Sequence, residues 1–181
     1  MRRRALGALL LAILTAAGCT QAPPTPSEAA GGACAADLPP RTSPTDYPVA
    51  VLHAGGEDLA PVVGEVEWLG GAQPVSTEAP RPIHVERFTV LQVDEALELS
   101  LRMTDGVSIA AWRVEALPNA TFRSGDTDGG EEWASGEEPA DLVCVPVLDG
   151  EWVLRADLTF ADDGGQGTYF WRVNVRNSPS G

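Results

Sequence analysis

Trp152-Val153-Leu154-Arg155-Ala156-Asp157-Leu158-Thr159-Phe160, the turn Asp162-Asp163-Gly164-Gly165-Gln166-Gly167, and Thr168-Tyr169-Phe170-Trp171-Arg172-Val173-Asn174-Val175 together decide the fold. In the first run Trp152, Leu154, Ala156, Leu158 and Phe160 alternate with Val153, Arg155, Asp157 and Thr159. In the second, Tyr169, Trp171, Val173 and Val175 alternate with Phe170, Arg172, Asn174 and Arg176. Side chains on a strand point to opposite faces with a period of two, so both runs read as strands with one apolar face. The Asp- and Gly-rich stretch between them has the chemistry of a hairpin loop.

The same alternation, broken by Gly, Pro and Asp, recurs upstream. It predicts strands over 49–54, 62–69, 83–93, 96–103, 107–117 and 142–147, which with 152–160 and 168–175 make eight, and no helix. Glu, Leu and Ala in 94–103 favour helix, yet Leu97, Leu99, Leu101 and Met103 against Glu98, Ser100 and Arg102 alternate strictly, as strands do. Many short strands at this spacing imply an all-β domain, a single antiparallel β-sandwich, with a small β-barrel as the alternative. The closing pair, Gly150 to Leu154 with Tyr169 to Val175, resembles the final strand pair of bacterial immunoglobulin-like domains, which implies an immunoglobulin-like sandwich. The intersheet cysteine spacing of that family is absent.

The N-terminal segment has a different composition. Met1-Arg2-Arg3-Arg4 is basic, Ala5 to Ala17 is an apolar run, and Ala16-Ala17-Gly18 leads into Cys19. The run is shorter than the roughly 20 residues that span a bilayer, so it reads as a signal peptide over 1–18. This leader resembles the bacterial lipoprotein signal class, departing from it at Ala16, where Leu is commonest. The resemblance implies cleavage before Cys19, lipidation of Cys19, and an extracytoplasmic protein anchored in the cell membrane, or in an outer membrane where there is one. Two acyl chains suffice for stable anchoring at about 0.8 kcal/mol per buried methylene. Residues 19–47, rich in Pro, Ala, Gly, Ser and Thr, then form a flexible tether, 48–177 the domain, and 178–181 a tail.

With Cys19 lipidated, Cys34 and Cys144 are left in an oxidising compartment, and a disulfide between them is expected. It would fasten the tether to the strand around Val143-Cys144-Val145.

Charge excludes one class of function. All 26 acidic residues follow Cys19, whereas three of the 12 basic ones belong to the leader, so nine arginines face 26 carboxylates, a balance of −17. Such a surface repels phosphate backbones, and no nucleic-acid partner is expected.

Motifs for chemistry are scarce. G-x-S-x-G, H-E-x-x-H, the P-loop and G-x-G-x-x-G are all absent. His53 and His84 could meet as a base or metal pair, although hydrogen-bonded structural histidines account for them as well. The stretch from Asp126 to Glu138 concentrates six carboxylates, and Asp126, Asp128 and Glu131 could supply oxygens to calcium, but the EF-hand register is not met and a solvated loop is the competing reading. Trp133 stands between acidic residues, either exposed for ligand binding or folded back as a plug, whereas Trp68, Trp112, Trp152 and Trp171 lie in strand patterns and belong to the core. The expected function is therefore a non-catalytic binding or adhesion module at the cell envelope, with an envelope protein or glycan as partner. The alternatives are a structural accessory domain of an envelope assembly and an extracytoplasmic enzyme with an unrecognised carboxylate site.

Overall fold

A computed structural model describes residues 41–54, 56–79, 88–93, 99–123, 130–146 and 150–176. Its strands are β1 (Ala50–Ala54), β2 (Glu57–Leu59), β3 (Val62–Trp68), β4 (Val75–Thr77), β5 (Val90–Val93), β6 (Leu99–Met103), β7 (Ile109–Pro118), β8 (Glu131–Gly136), β9 (Val143–Val145), β10 (Gly150–Phe160) and β11 (Gly165–Val175). One short helix, α1 (Asn119–Arg123), follows β7. They form two sheets, a small one in the order β2-β1-β6-β9 and a large one in the order β4-β3-β11-β10-β7-β8. The chain is a two-sheet sandwich and not a closed barrel.

The predicted hairpin is the centre of the large sheet. β10 and β11 pair without interruption from Gly150↔Val175 to Thr159↔Gln166. The loop between them places Asp162 and Asp163 at positive φ, a region that Asp tolerates better than most residues. Gly165 follows at φ +102, and a Cβ there would fall on the backbone of Glu67. Pairing is antiparallel throughout except at β5, which runs parallel to Arg172–Val175 on the edge of β11 that β3 leaves free.

Inward-facing residues of both sheets interlock in one core. Leu52, Leu99, Leu101 and Val145 from the small sheet pack with Val114, Leu158, Tyr169 and Trp171 from the large one, each 1% exposed or less. Two buried polar groups cross it with their hydrogen bonds satisfied: Trp171 Nε1 donates to the Leu59 carbonyl at 3.1 Å and Tyr169 Oη to the Pro48 carbonyl at 2.9 Å. Burial holds the Tyr169 phenol far above its ordinary pKa, so it stays a donor at every working pH.

Three strands and the helix escape the sequence pattern: β2 and β4 are edge strands of three residues each, too short to show alternation, and β8 is an edge strand with Glu and Gly, which rarely favour strands. The outer face of the large sheet is also less uniform than simple alternation implies. At one end Val153, Phe170 and Leu117 point outward yet are buried, because Phe122 of α1 and Phe88 cover them in a second core. Phe122 meets Phe88 edge-on at 5.5 Å and Phe170 at 6.1 Å. This cap covers only part of the outer face.

The domain also takes in residues read as tether. Asp105 donates its backbone N–H to the Arg41 carbonyl at 2.7 Å and accepts from Ser43 at 2.9 Å, and Tyr47 packs on the core.

Candidate functional site

Beyond the aromatic cap, the outward residues of the large sheet turn polar. Asp157 and Thr159 on β10 stand beside Thr168 and Gln166 on β11 and beside Arg113 and Ala111 on β7. The twist of the sheet makes this row the floor of a groove of about 980 Å³. Glu65 and Glu67 of β3, with Ser76 and Glu78 at the β4 edge, form one side; Glu132, Ser135 and Glu137 at the β8 edge form the other. Among the described residues lining it, six are carboxylates and Arg113 alone is basic.

A charge network separates groove from cap. Glu115, 7% exposed, accepts Arg113 Nη2 at 2.9 Å and lies 3.8 Å from Arg155 Nη1. Arg113 Nε reaches Glu132 at 3.0 Å, and Arg155 Nε reaches Asp157 at 3.1 Å, which also accepts Thr168 Oγ1 at 2.7 Å. Arg113, the groove's basic residue, is thus held between two glutamates. The floor is hydroxylated and the sides are acidic.

Trp133 is not in a loop. It lies in β8, where the register steps from Val114↔Ala134 to Glu115↔Glu132, so Trp133 is the extra residue of a bulge, a device that re-aims a side chain. Its ring packs against the core, and Nε1 donates to the Pro146 carbonyl at 2.8 Å. Of the two sequence readings, folding back is the one the geometry matches. Trp133→Ala is accordingly expected to cost about 2–3 kcal/mol of stability in denaturant unfolding, below the 3–5 typical of fully buried Trp.

Glu131, the remaining described member of the calcium set, is an exposed residue at the start of β8; Asp126 and Asp128 lie outside the described residues. Among the described residues no group of three or more His, Cys, Asp or Glu could hold a metal ion. Cys144 faces outward from β9 and is disulfide-bonded; Cys19 and Cys34 lie outside the described residues, as does His84.

The other histidine belongs to a compact ionic cluster on the outer face of the small sheet. His53 Nδ1 meets Asp58 Oδ1 at 2.7 Å, Arg41 Nη2 meets Asp58 Oδ2 at 2.5 Å, and Arg102 Nη2 lies 3.7 Å from it. Ser100 stands next to His53 across β1 and β6, completing a row of acid, imidazole and hydroxyl, but at 2% exposure it is closed to any substrate. Burial works to raise the Asp58 pKa; the His53 hydrogen bond and the Arg41 and Arg102 charges outweigh it and hold the carboxyl below its ordinary 3.8. A depressed folded-state pKa stabilises the fold above the unfolded value and is lost as pH falls through the folded one. Asp58→Asn should therefore be less stable than the parent at neutral pH, with the gap closing below about pH 4 in pH-dependent melts.

No protein-family model matches the chain, and no curated protein does. Among solved structures it is similar to a Jonesia denitrificans lytic polysaccharide monooxygenase, at 10% identity and a TM-score of 0.29, over 49% of this chain and 59% of that one. It is similar also to a chitin binding domain from Burkholderia pseudomallei, at 14% identity and a TM-score of 0.28, over 50% of this chain and 59% of that one. Both matches span less than two thirds of the structure matched.

Proposed function

We propose that this chain is a non-catalytic binding module, anchored outside the cell through a lipid on Cys19, whose groove on the large sheet takes a positively charged partner. The observation that carries the reading is the groove itself: a sheet face left uncovered beside a capped one, with six carboxylates and a single, already paired arginine. Clefts lined by one sign of charge concentrate ligands of the other and speed their association. The Thr and Gln side chains on the floor and the Ser side chains at its edges add hydrogen-bonding capacity. A Lys- or Arg-rich segment of an envelope protein fits these features.

The test is titration of the full chain carrying Cys19→Ser with an octalysine peptide. Neutralising Glu67, Glu78 and Glu137 to Gln should weaken binding about tenfold, since each exposed ion pair contributes roughly 0.5 kcal/mol net. Asp46→Asn, Glu57→Gln and Asp105→Asn, three neutralisations on the small-sheet side, should weaken it by less than about twofold. Equal losses in the two variants would mean that octalysine follows net charge alone and that the groove has no part in binding.

A further inference from the structure

The two outer faces of the sandwich differ in charge and in what is attached to them. On the small sheet, Arg41 and Arg102 converge on Asp58, and the Arg41 carbonyl accepts the Asp105 backbone N–H. Cys144 points out of the same sheet and is disulfide-bonded. The chain has three cysteines, and the other two, Cys19 and Cys34, both precede Arg41. A bridge from Cys144 to Cys34, the pairing expected from the sequence, would tie the stretch before Arg41 to the small-sheet side, where Arg41 also sits. The acidic groove opens from the opposite side, on the outer face of the large sheet.

We propose that the small sheet is the membrane-proximal face and that the groove opens away from the membrane, so that its cationic partner arrives from the far side. This inference rests on the anchoring reading above. Attachment and electrostatics act in the same direction. The N-terminal side leads back to Cys19, so the face to which it is fastened is drawn toward the lipid. A surface of anionic headgroups repels the groove, where six carboxylates face one arginine, more strongly than the small-sheet side, where Asp46, Glu57, Asp58 and Asp105 face Arg41 and Arg102. A partner embedded in the same membrane would meet the small sheet, and one standing off from it would meet the groove.

The orientation can be read on the full, lipidated chain in phosphatidylcholine vesicles containing phosphatidylglycerol. A donor fluorophore is placed on Thr42→Cys, beside Arg41, or on Thr159→Cys in the groove, both exposed positions. The acceptor is a dye on lipid headgroups. The labels lie outside two sheets that are themselves about 10 Å apart, so transfer from position 42 should be at least about twofold greater than from position 159. Equal transfer, or more from position 159, would overturn the orientation while leaving the anchor intact. A lipidated chain that failed to float with the vesicles would overturn the anchoring reading, and the orientation with it.

Discussion

Trp171→Ala is expected to lower the unfolding free energy by about 4 kcal/mol, the middle of the range for a fully buried Trp truncated in place. The indole is 1% exposed at the centre of the core, and its N–H is bonded to the Leu59 carbonyl of the opposite sheet. Truncation opens a cavity between the sheets and leaves that carbonyl without its partner, a further penalty of about 1–3 kcal/mol if water does not enter. Domains of this size hold about 5–15 kcal/mol in all. Urea unfolding should therefore show a midpoint reduced by a third or more. Trp171→Phe separates the two contributions, because it keeps most of the packing and removes only the donor.

Gly165→Ala should cost about 3–4 kcal/mol by a different route, combining left-handed backbone strain with overpacking, each worth about 1–3 kcal/mol. Gly165 sits at φ +102 where β11 meets β3, and an added Cβ would collide with the carbonyl oxygen of Glu67. The backbone must then part at the pairs Gly165↔Trp68 and Gln166↔Glu67, the second of which joins the floor of the groove to one of its sides. The variant should lose octalysine binding along with stability. Gly150 is the control. Its φ is +104, but the nearest atom to its Cβ would be 3.5 Å away, so Gly150→Ala should cost only the backbone strain, about 1 kcal/mol, and leave binding alone. Parallel urea melts and titrations of the two alanine variants distinguish strain with collision from strain alone.

The central hairpin was legible because its alternation is strict over two long runs and its loop has Asp and Gly where left-handed backbone is needed. The two-sheet architecture followed from the number of such runs. The edge strands were not legible: Glu57-Asp58-Leu59 and Glu131 to Gly136 are held by pairing with a neighbouring strand, a tertiary effect that propensity opposes. Ser100 and Arg102 were assigned correctly to the face away from the core, but alternation cannot report that this face is itself covered, and both are buried. Phe170 and Val153 show the same limit on the large sheet.

The groove was half legible. Glu65 with Glu67, Asp157 with Thr159, and Gln166 with Thr168 are each the polar half of an alternating run, visible in the sequence. Their convergence depends on the order β3-β11-β10-β7, which brings together segments about a hundred residues apart. The dense carboxylate run 126–138 supplies only one side of the groove, through Glu132, Ser135 and Glu137, and the rest comes from residues scattered over other strands. Trp133 was conspicuous for its acidic neighbours, whereas the bulge that turns it inward depends on pairing with β7.

The most direct test of the account is to map amide chemical shifts of the isotopically labelled Cys19→Ser chain during titration with octalysine. Perturbations are expected on the groove strands, at Glu65 to Glu67, Arg113, Asp157 to Thr159 and Gln166 to Thr168, with the small-sheet residues Val51, His53 and Asp58 unmoved. Shifts spread evenly over acidic residues on both faces, or confined to the small sheet, would contradict the assignment of binding to the groove.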